Sequence, residues 1–203
     1  MSKPEEFLDT KEPSLDNKIT LPVLATKNLL LRPPNIIDAP LMVEYFCKNK
    51  IRYSETSADV NVFEYNNIFF EKLIRRYLIE WKSGVSIRFL IFLQRDSSLI
   101  GDVSLTRIVM NPFYSCSIGY RICSEYEGFG YASEAVGSAI FFAFKMLKLK
   151  RVNAICSPGN SRSIKLLEGV GFKQDGFVGN CILINGLWRD QILYGIVNEN
   201  HIL

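Results

Sequence analysis

Apolar positions along the chain recur with two periods, one of about two residues and one of about 3.6, and these divide it into alternating strands and helices. Leu24 to Arg32, reading LATKNLLLR, predicts a strand that Pro33-Pro34 stops. Asp38 is placed to cap a helix with Pro40 in its first turn and Leu41, Val43, Tyr45 and Phe46 along it. Asn49 to Asn61 is polar and reads as loop. A second helix is predicted from Phe63 to Lys82, with Ile68, Phe69, Leu73, Ile74, Tyr77 and Leu78 as its buried face and Gly84 as its end. Ile87 to Gln94 and Leu99 to Val109 then predict an antiparallel hairpin across Arg95-Asp96-Ser97-Ser98.

After a turn at Met110 to Tyr114, the β-rich run Ser115 to Cys123 leads through a polar turn to Gly128 and Gly130. The helix that follows carries Ala132, Ala135, Val136, Ala139, Ala143, Met146 and Leu147 on one side. Val152 to Ser157 predicts a strand, Pro158-Gly159-Asn160 a turn, and Ser161 to Gly169 a short helix. Phe172 to Asn180 and Ile182 to Ile184 predict strand, Asn185-Gly186 a tight turn, and Trp188 to Val197 the returning strand. The order β, α, α, three β, α, β, α, β, β contains no repeat and no dividing linker. It predicts a flexible leader over residues 1–20 and one α/β domain over 21–203.

Composition narrows this only a little. With 203 residues, 48% of them hydrophobic, the chain can bury one sizeable core, and 22% charged residues with a net charge of +3 do not mark a nucleic-acid-binding or disordered protein. Five widely spaced cysteines and one histidine make a metal site improbable on spacing, so none is expected. Lys145, Lys148, Lys150 and Arg151 close the apolar helix, where compensation of its dipole is the expected role and a binding patch the alternative. The N-terminus is acidic and broken by prolines, unlike a secretory signal, and the longest apolar helical stretch is too short for a membrane. The expectation is a cytoplasmic protein without membrane or direct nucleic-acid contacts.

Candidate chemistry centres on Ile118 to Ala139. A strand, a turn with two glycines and a helix opening at Tyr131-Ala132-Ser133 aim unpaired N–H groups and a positive dipole end at one point, which suits a phosphate. As a dinucleotide fingerprint the segment is poor, because Ser133 stands where a third glycine belongs and the next strand ends in Cys156-Ser157 without an acidic residue.

Over residues 24 to 198 the chain resembles the GNAT acetyltransferases. Their phosphate-loop pattern, Gln/Arg-x-x-Gly-x-Gly/Ala, falls on Glu127-Gly128-Phe129-Gly130-Tyr131-Ala132, and their Asn-x-x-Ser followed by Gly-Phe on Asn160, Ser163, Gly171 and Phe172. Gly119-Tyr120, YEGFGYASEA at 126–135 and LINGLWRD at 183–190 are most similar to the Rim-type ribosomal-protein-alanine N-acetyltransferases. The resemblance implies one GNAT domain: a mixed, mostly antiparallel sheet of about seven strands with about four helices. It implies acetyl-CoA as co-substrate, held by Tyr120, Arg121, Ile122, Glu127, Gly128, Phe129, Gly130, Tyr131, Ala132, Ser133, Asn160 and Ser163. Glu127 departs from the pattern, and a carboxylate there is expected to turn to solvent.

The resemblance also implies direct attack of an amine on the thioester, with Ser163 donating to the departing thiolate. Ser163 fits equally a first-turn residue that satisfies local backbone. No general base transfers, since the family's glutamate positions fall near Ile155 and Ile182. An α-amine of pKa about 7.8 is roughly a tenth neutral at pH 7, against about four parts in ten thousand for a lysine. A site without a strong base therefore suits a protein N-terminus. Water relayed by backbone carbonyls or by Tyr120, Asp190 or Tyr194 can take the last proton, although Asp190 fits a structural role as well. Nothing near Cys156 would activate it as a nucleophile. The expected acceptor is the α-amine of a ribosomal or other protein. A polyamine, amino acid or antibiotic is the alternative, and a non-catalytic acetyl-CoA-binding module a third. Asn49 to Asn61 and the hairpin at 180–190 would build the acceptor groove.

Overall fold

The computed structural model describes residues 21–50 and 65–200. The leader, most of the predicted loop Asn49 to Asn61 and the chain's one histidine, His201, lie outside them. Eight strands form one sheet in the order β1-β2-β3-β4-β5-β6-β8-β7. They are β1 (Leu24–Ala25), β2 (Leu29–Arg32), β3 (Ile87–Leu93), β4 (Leu99–Val109), β5 (Ser115–Ile122), β6 (Arg151–Cys156), β7 (Lys173–Ile184) and β8 (Leu187–Val197). Helices α1 (Ala39–Lys48) and α2 (Asn67–Lys82) cover one face, while α3 (Tyr131–Lys145), with α4 (Ser161–Gly169) beside it, covers the other.

Strand β3, IRFLIFL, is apolar almost throughout because both its faces are covered. Ile87, Phe89, Ile91 and Leu93 enter the larger core beneath α3, and Leu90 and Phe92 enter a second core with Met42, Tyr45, Phe46 and Phe70. Alanines at 135, 139 and 143 let α3 lie close on the sheet. Gly101 in β4 leaves room for the neighbouring strand, since a Cβ there would meet the Arg121 carbonyl at 2.4 Å.

Several predicted elements shift. Leu24 to Arg32 is two strands rather than one, folded back at Thr26-Lys27-Asn28 with Leu24 opposite Leu31. Of the predicted buried face of α2, Ile74 is fully buried and Phe69, Leu73, Tyr77 and Leu78 are half-buried, but Ile68 is 67% exposed and Phe70 is fully buried in its stead. Met146 lies past the end of α3 and is exposed, and Ile140 and Phe142 are buried instead. β7 runs unbroken from Lys173 to Ile184, a bulge near Val178 to Ile182 absorbing the predicted break. Asp38 precedes α1, but its carboxylate takes Arg32 and the Asn35 N–H (2.6 Å) rather than capping that helix.

One feature of the sheet positions the site. All neighbouring strands are antiparallel except β5 and β6, which pair only at Ser115–Ser117 with Arg151–Asn153. Beyond that point β5 stays with β4 as far as Ile122, and β6 stays with β8 as far as Cys156. The two strands therefore diverge toward their C-terminal ends, where the glycine loop and α4 begin.

Candidate functional site

The mouth of this cleft is built from backbone. A short turn at Ser124–Tyr126 delivers Glu127 in extended conformation, and Gly128 (φ +81°) and Gly130 (φ +82°) then swing the chain into α3. A Cβ at either glycine would meet nothing within 4 Å, so the left-handed backbone, rather than crowding, is what calls for glycine. No side chain caps α3. Its first N–H groups, from Tyr131 to Ser133, point out along the axis toward any anion seated on the loop. Phe129 is exposed and stacks on Tyr131 at 5.8 Å, forming the outer rim. Tyr131 also borders a hollow of about 300 Å³ with Lys27 and Arg95.

Glu134 in the first turn of α3 does not face that anion site. Its carboxylate accepts from Thr26 Oγ1 (2.6 Å), Asn28 N (2.7 Å) and Asn28 Nδ2 (2.8 Å), pinning the β1–β2 turn to the helix. Burial works against its charge, yet the hydrogen bonds from Asn28 and Thr26 hold the carboxyl below the usual range.

Deeper in the cleft, alternation along β5 turns Ile118, Tyr120 and Ile122 toward α3 and Gly119 and Arg121 to the opposite face. The Tyr120 hydroxyl lies 2.8 Å from Ser163 Oγ. Burial, opposed by that hydrogen bond, pushes the phenol up to about 12, so it keeps its proton at neutral pH. Asn160 Oδ1 caps α4 by accepting from Ser163 N at 3.1 Å, which leaves its amide group for an outward contact. Cys156 ends β6 beside them, and burial pushes its thiol up, away from the thiolate a nucleophile needs.

Tyr120, Asn160, Ser163 and the loop from Glu127 to Ser133 thus border one cleft, and the other predicted residues have different surroundings. The Arg121 guanidinium binds Asp102 (2.9 and 3.1 Å) on the far face, so only its backbone lines the cleft. Ile122 is buried in the core. Asp190 accepts from Asn180 N at 2.9 Å across the β7 bulge, and Tyr194 donates to Glu168 Oε1 at 3.2 Å from within the core. Burial, then the Glu168 carboxylate, push that phenol up as well. Glu127 does not simply turn to solvent: it is paired with Arg162 of α4. Arg162, Glu134 and Glu168 escaped the sequence reading. Arg162 was findable, since it lies inside the Asn160–Ser163 motif; Glu134 was not, because its partners are more than 100 residues away. Among the described residues no three Cys, His, Asp or Glu side chains group to hold a metal, and no helix is long and apolar enough to cross a membrane.

Known proteins share this architecture. The sequence model of the acetyltransferase (GNAT) domain family matches residues 28–173. The chain is 30% identical over 179 residues to the probable N-acetyltransferase YjcK of Bacillus subtilis, covering 88% of this chain and 98% of that protein. It is 32% identical over 119 residues to the [ribosomal protein uS5]-alanine N-acetyltransferase of Escherichia coli, covering 59% of this chain and 61% of that enzyme. The crystal structure of the ribosomal-protein-S5-alanine acetyltransferase of Vibrio fischeri superposes with a TM-score of 0.84 at 25% identity, covering 89% and 99% of the two chains.

Proposed function

This chain belongs to the GNAT acetyltransferase family and is an acetyl-CoA-dependent N-acetyltransferase, and we propose that its acceptor is the α-amine of a protein N-terminus, a ribosomal protein among the candidates. The glycine loop and the start of α3 seat the diphosphate, and the gap between β5 and β6 takes the pantetheine arm against backbone amides of Tyr120 to Ile122 and the Asn160 amide. The attacking amine adds to the thioester carbonyl carbon, and the C–S bond then breaks. The departing thiolate takes a proton from the Tyr120–Ser163 pair, the new amide loses its extra proton to water, and water passes that proton back to the pair.

The observation that carries the choice of acceptor is the character of that pair. Among the described residues, neither hydroxyl is hydrogen-bonded to a carboxylate or an imidazole. The pair can donate a proton but cannot pull one from a charged lysine. An amine that is already about a tenth neutral at pH 7 needs no such help. The likeness to enzymes named for an alanine of a ribosomal protein supports a protein acceptor, and alanine has no side-chain amine to offer in place of an α-amine.

The test is CoA release with three acceptor sets: peptides with a free N-terminus, α-acetylated peptides carrying lysine, and small amines such as polyamines and aminoglycosides. The expected outcome is turnover confined to the free N-termini. Preferred turnover of a small amine would replace the protein acceptor, and acetyl-CoA binding without turnover of any acceptor would overturn the catalytic reading.

A further inference from the structure

The ion pair between Glu127 and Arg162 spans the cleft. Glu127 stands at the mouth of the glycine loop that follows β5, and Arg162 lies between Asn160 and Ser163 on the first turn of α4, across the gap. The segment Ser124 to Ala139 carries three carboxylates, Glu125, Glu127 and Glu134, and neither lysine nor arginine. Two of those carboxylates are turned away, Glu125 to Lys48 at 2.7 Å and Glu134 to the β1–β2 turn. The third stands where a diphosphate would approach. The dipole of α3 supplies only about half a positive charge, too little to offset a diphosphate and a neighbouring carboxylate together. A full positive charge has to come from outside the loop.

We infer that Arg162 is a cofactor-binding residue: when acetyl-CoA enters, its guanidinium turns from Glu127 onto the diphosphate and supplies the cation that the loop lacks. The side chain is 76% exposed, so it can move without disturbing the fold. Its planar fork of donors can hold a pair of phosphate oxygens in place of the Glu127 carboxylate. Glu127 then acts as a holding partner in the empty cleft and a competitor in the filled one. The inference rests on the acetyl-CoA reading of the cleft and assigns that site a residue from its second wall.

Binding of acetyl-CoA, 3′-dephospho-acetyl-CoA and acetyl-pantetheine to wild type, Arg162→Ala, Arg162→Lys, Glu127→Gln and the double variant Glu127→Gln/Arg162→Ala tests it. Arg162→Ala is expected to weaken acetyl-CoA and its dephospho form equally, by about tenfold, as for loss of a charge-assisted hydrogen bond in a wet site. Acetyl-pantetheine, which has no diphosphate, is expected to be unaffected. Arg162→Lys recovers part of the loss, and added salt shrinks the difference between wild type and Arg162→Ala. Glu127→Gln is expected to bind acetyl-CoA as well as wild type or better. The double variant should improve on Arg162→Ala without reaching wild type. Full recovery in the double variant would mean that Arg162 only neutralises Glu127, and it would overturn the inference. So would an unchanged Arg162→Ala, or a loss restricted to the 3′-phosphorylated compound. Failure of wild type itself to bind acetyl-CoA would instead sink the reading of the cleft.

Discussion

Tyr120 and Ser163 sit 2.8 Å apart, and since burial pushes the phenol up to about 12, the pair keeps both protons at neutral pH. One hydroxyl donates to the other, and the Ser163 hydroxyl also interacts with the Cys156 thiol, so the two act together rather than separately. Residues that act as such a unit give non-additive losses when removed. Ser163→Ala and Tyr120→Phe are each expected to lower kcat by about tenfold to a hundredfold, the range left to a shared proton donor. Acetyl-CoA affinity should change little. The double variant should be no worse than the poorer single by more than a few-fold; multiplying losses would show two independent contributions. The pair also sets the pH profile. With its pKa far above neutrality it gives no falling limb near neutral pH, so kcat/KM should rise with the neutral fraction of the acceptor α-amine, with a midpoint at about pH 8, and level off above about pH 9. A rising limb centred near pH 6, unmoved by the acceptor's own pKa, would reveal an enzymic base instead.

At the scale of elements, the start of α3 is held from two sides. The glycine loop sets its direction, and Glu134 ties its first turn to the β1–β2 turn through Thr26 and Asn28. Hydrogen bonds to a charged acceptor contribute about 1.5–3 kcal/mol each when shielded, and partial exposure here brings the whole set down to about 1–2 kcal/mol. Glu134→Ala is therefore expected to lower stability by that amount in urea unfolding, and Glu134→Gln, which keeps an acceptor for Asn28, by less. An unchanged midpoint would show the contact to be incidental. Glu134 also marks what could be read from sequence and what could not. The order of elements, the hairpins and the glycine loop were legible because turn residues and local periodicity encode them. The break inside Leu24 to Arg32 was not, since a run of leucines carries no mark of a turn that is stabilised by a glutamate on a distant helix. The exchange of Ile68 for Phe70 on the buried face of α2 was hidden for a similar reason: Phe46 and Tyr65 pack on Phe70, at 5.0 and 5.5 Å between ring centres. In the cleft, motif spacing led to Asn160 and Ser163, but the partners of Asp190 and Tyr194 depend on the β7 bulge and on how α4 lies over β8.

For the molecule as a whole, the opening between β5 and β6 leaves two half-sheets joined by a three-residue ladder and by α3 lying across both. The larger half is cross-braced from its other face by a buried charge cluster. Asp102, 1% exposed, accepts from Arg121 on β5, from Arg88 on β3 and from the Tyr45 hydroxyl on α1 at 3.3 Å. The Arg88 and Arg121 guanidinium groups lie 4.8 and 4.9 Å over the rings of Tyr77 and Phe46, so the cluster also locks α1 and α2 to the sheet. Burial alone would raise the Asp102 carboxyl, but Arg121 and Arg88 outweigh it and hold the group below its usual range. A carboxyl depressed by folding contributes stability that is present above its unfolded pKa, about 3.9, and lost as pH falls through the lower folded value. Urea midpoints should therefore be level from about pH 8 to 5 and fall steeply below pH 4. Asp102→Asn leaves two partly buried cations, their side chains 18% and 22% exposed, without their counter-charge and is expected to cost about 2–4 kcal/mol at neutral pH. Its acid limb should be shallower than that of wild type, because the proton that Asp102 takes up on unfolding is no longer there. An equal cost with an unchanged acid limb would mean that the aspartate matters for its shape alone, and that the acid sensitivity belongs to Asp38 and Glu134, whose carboxyls are also held low.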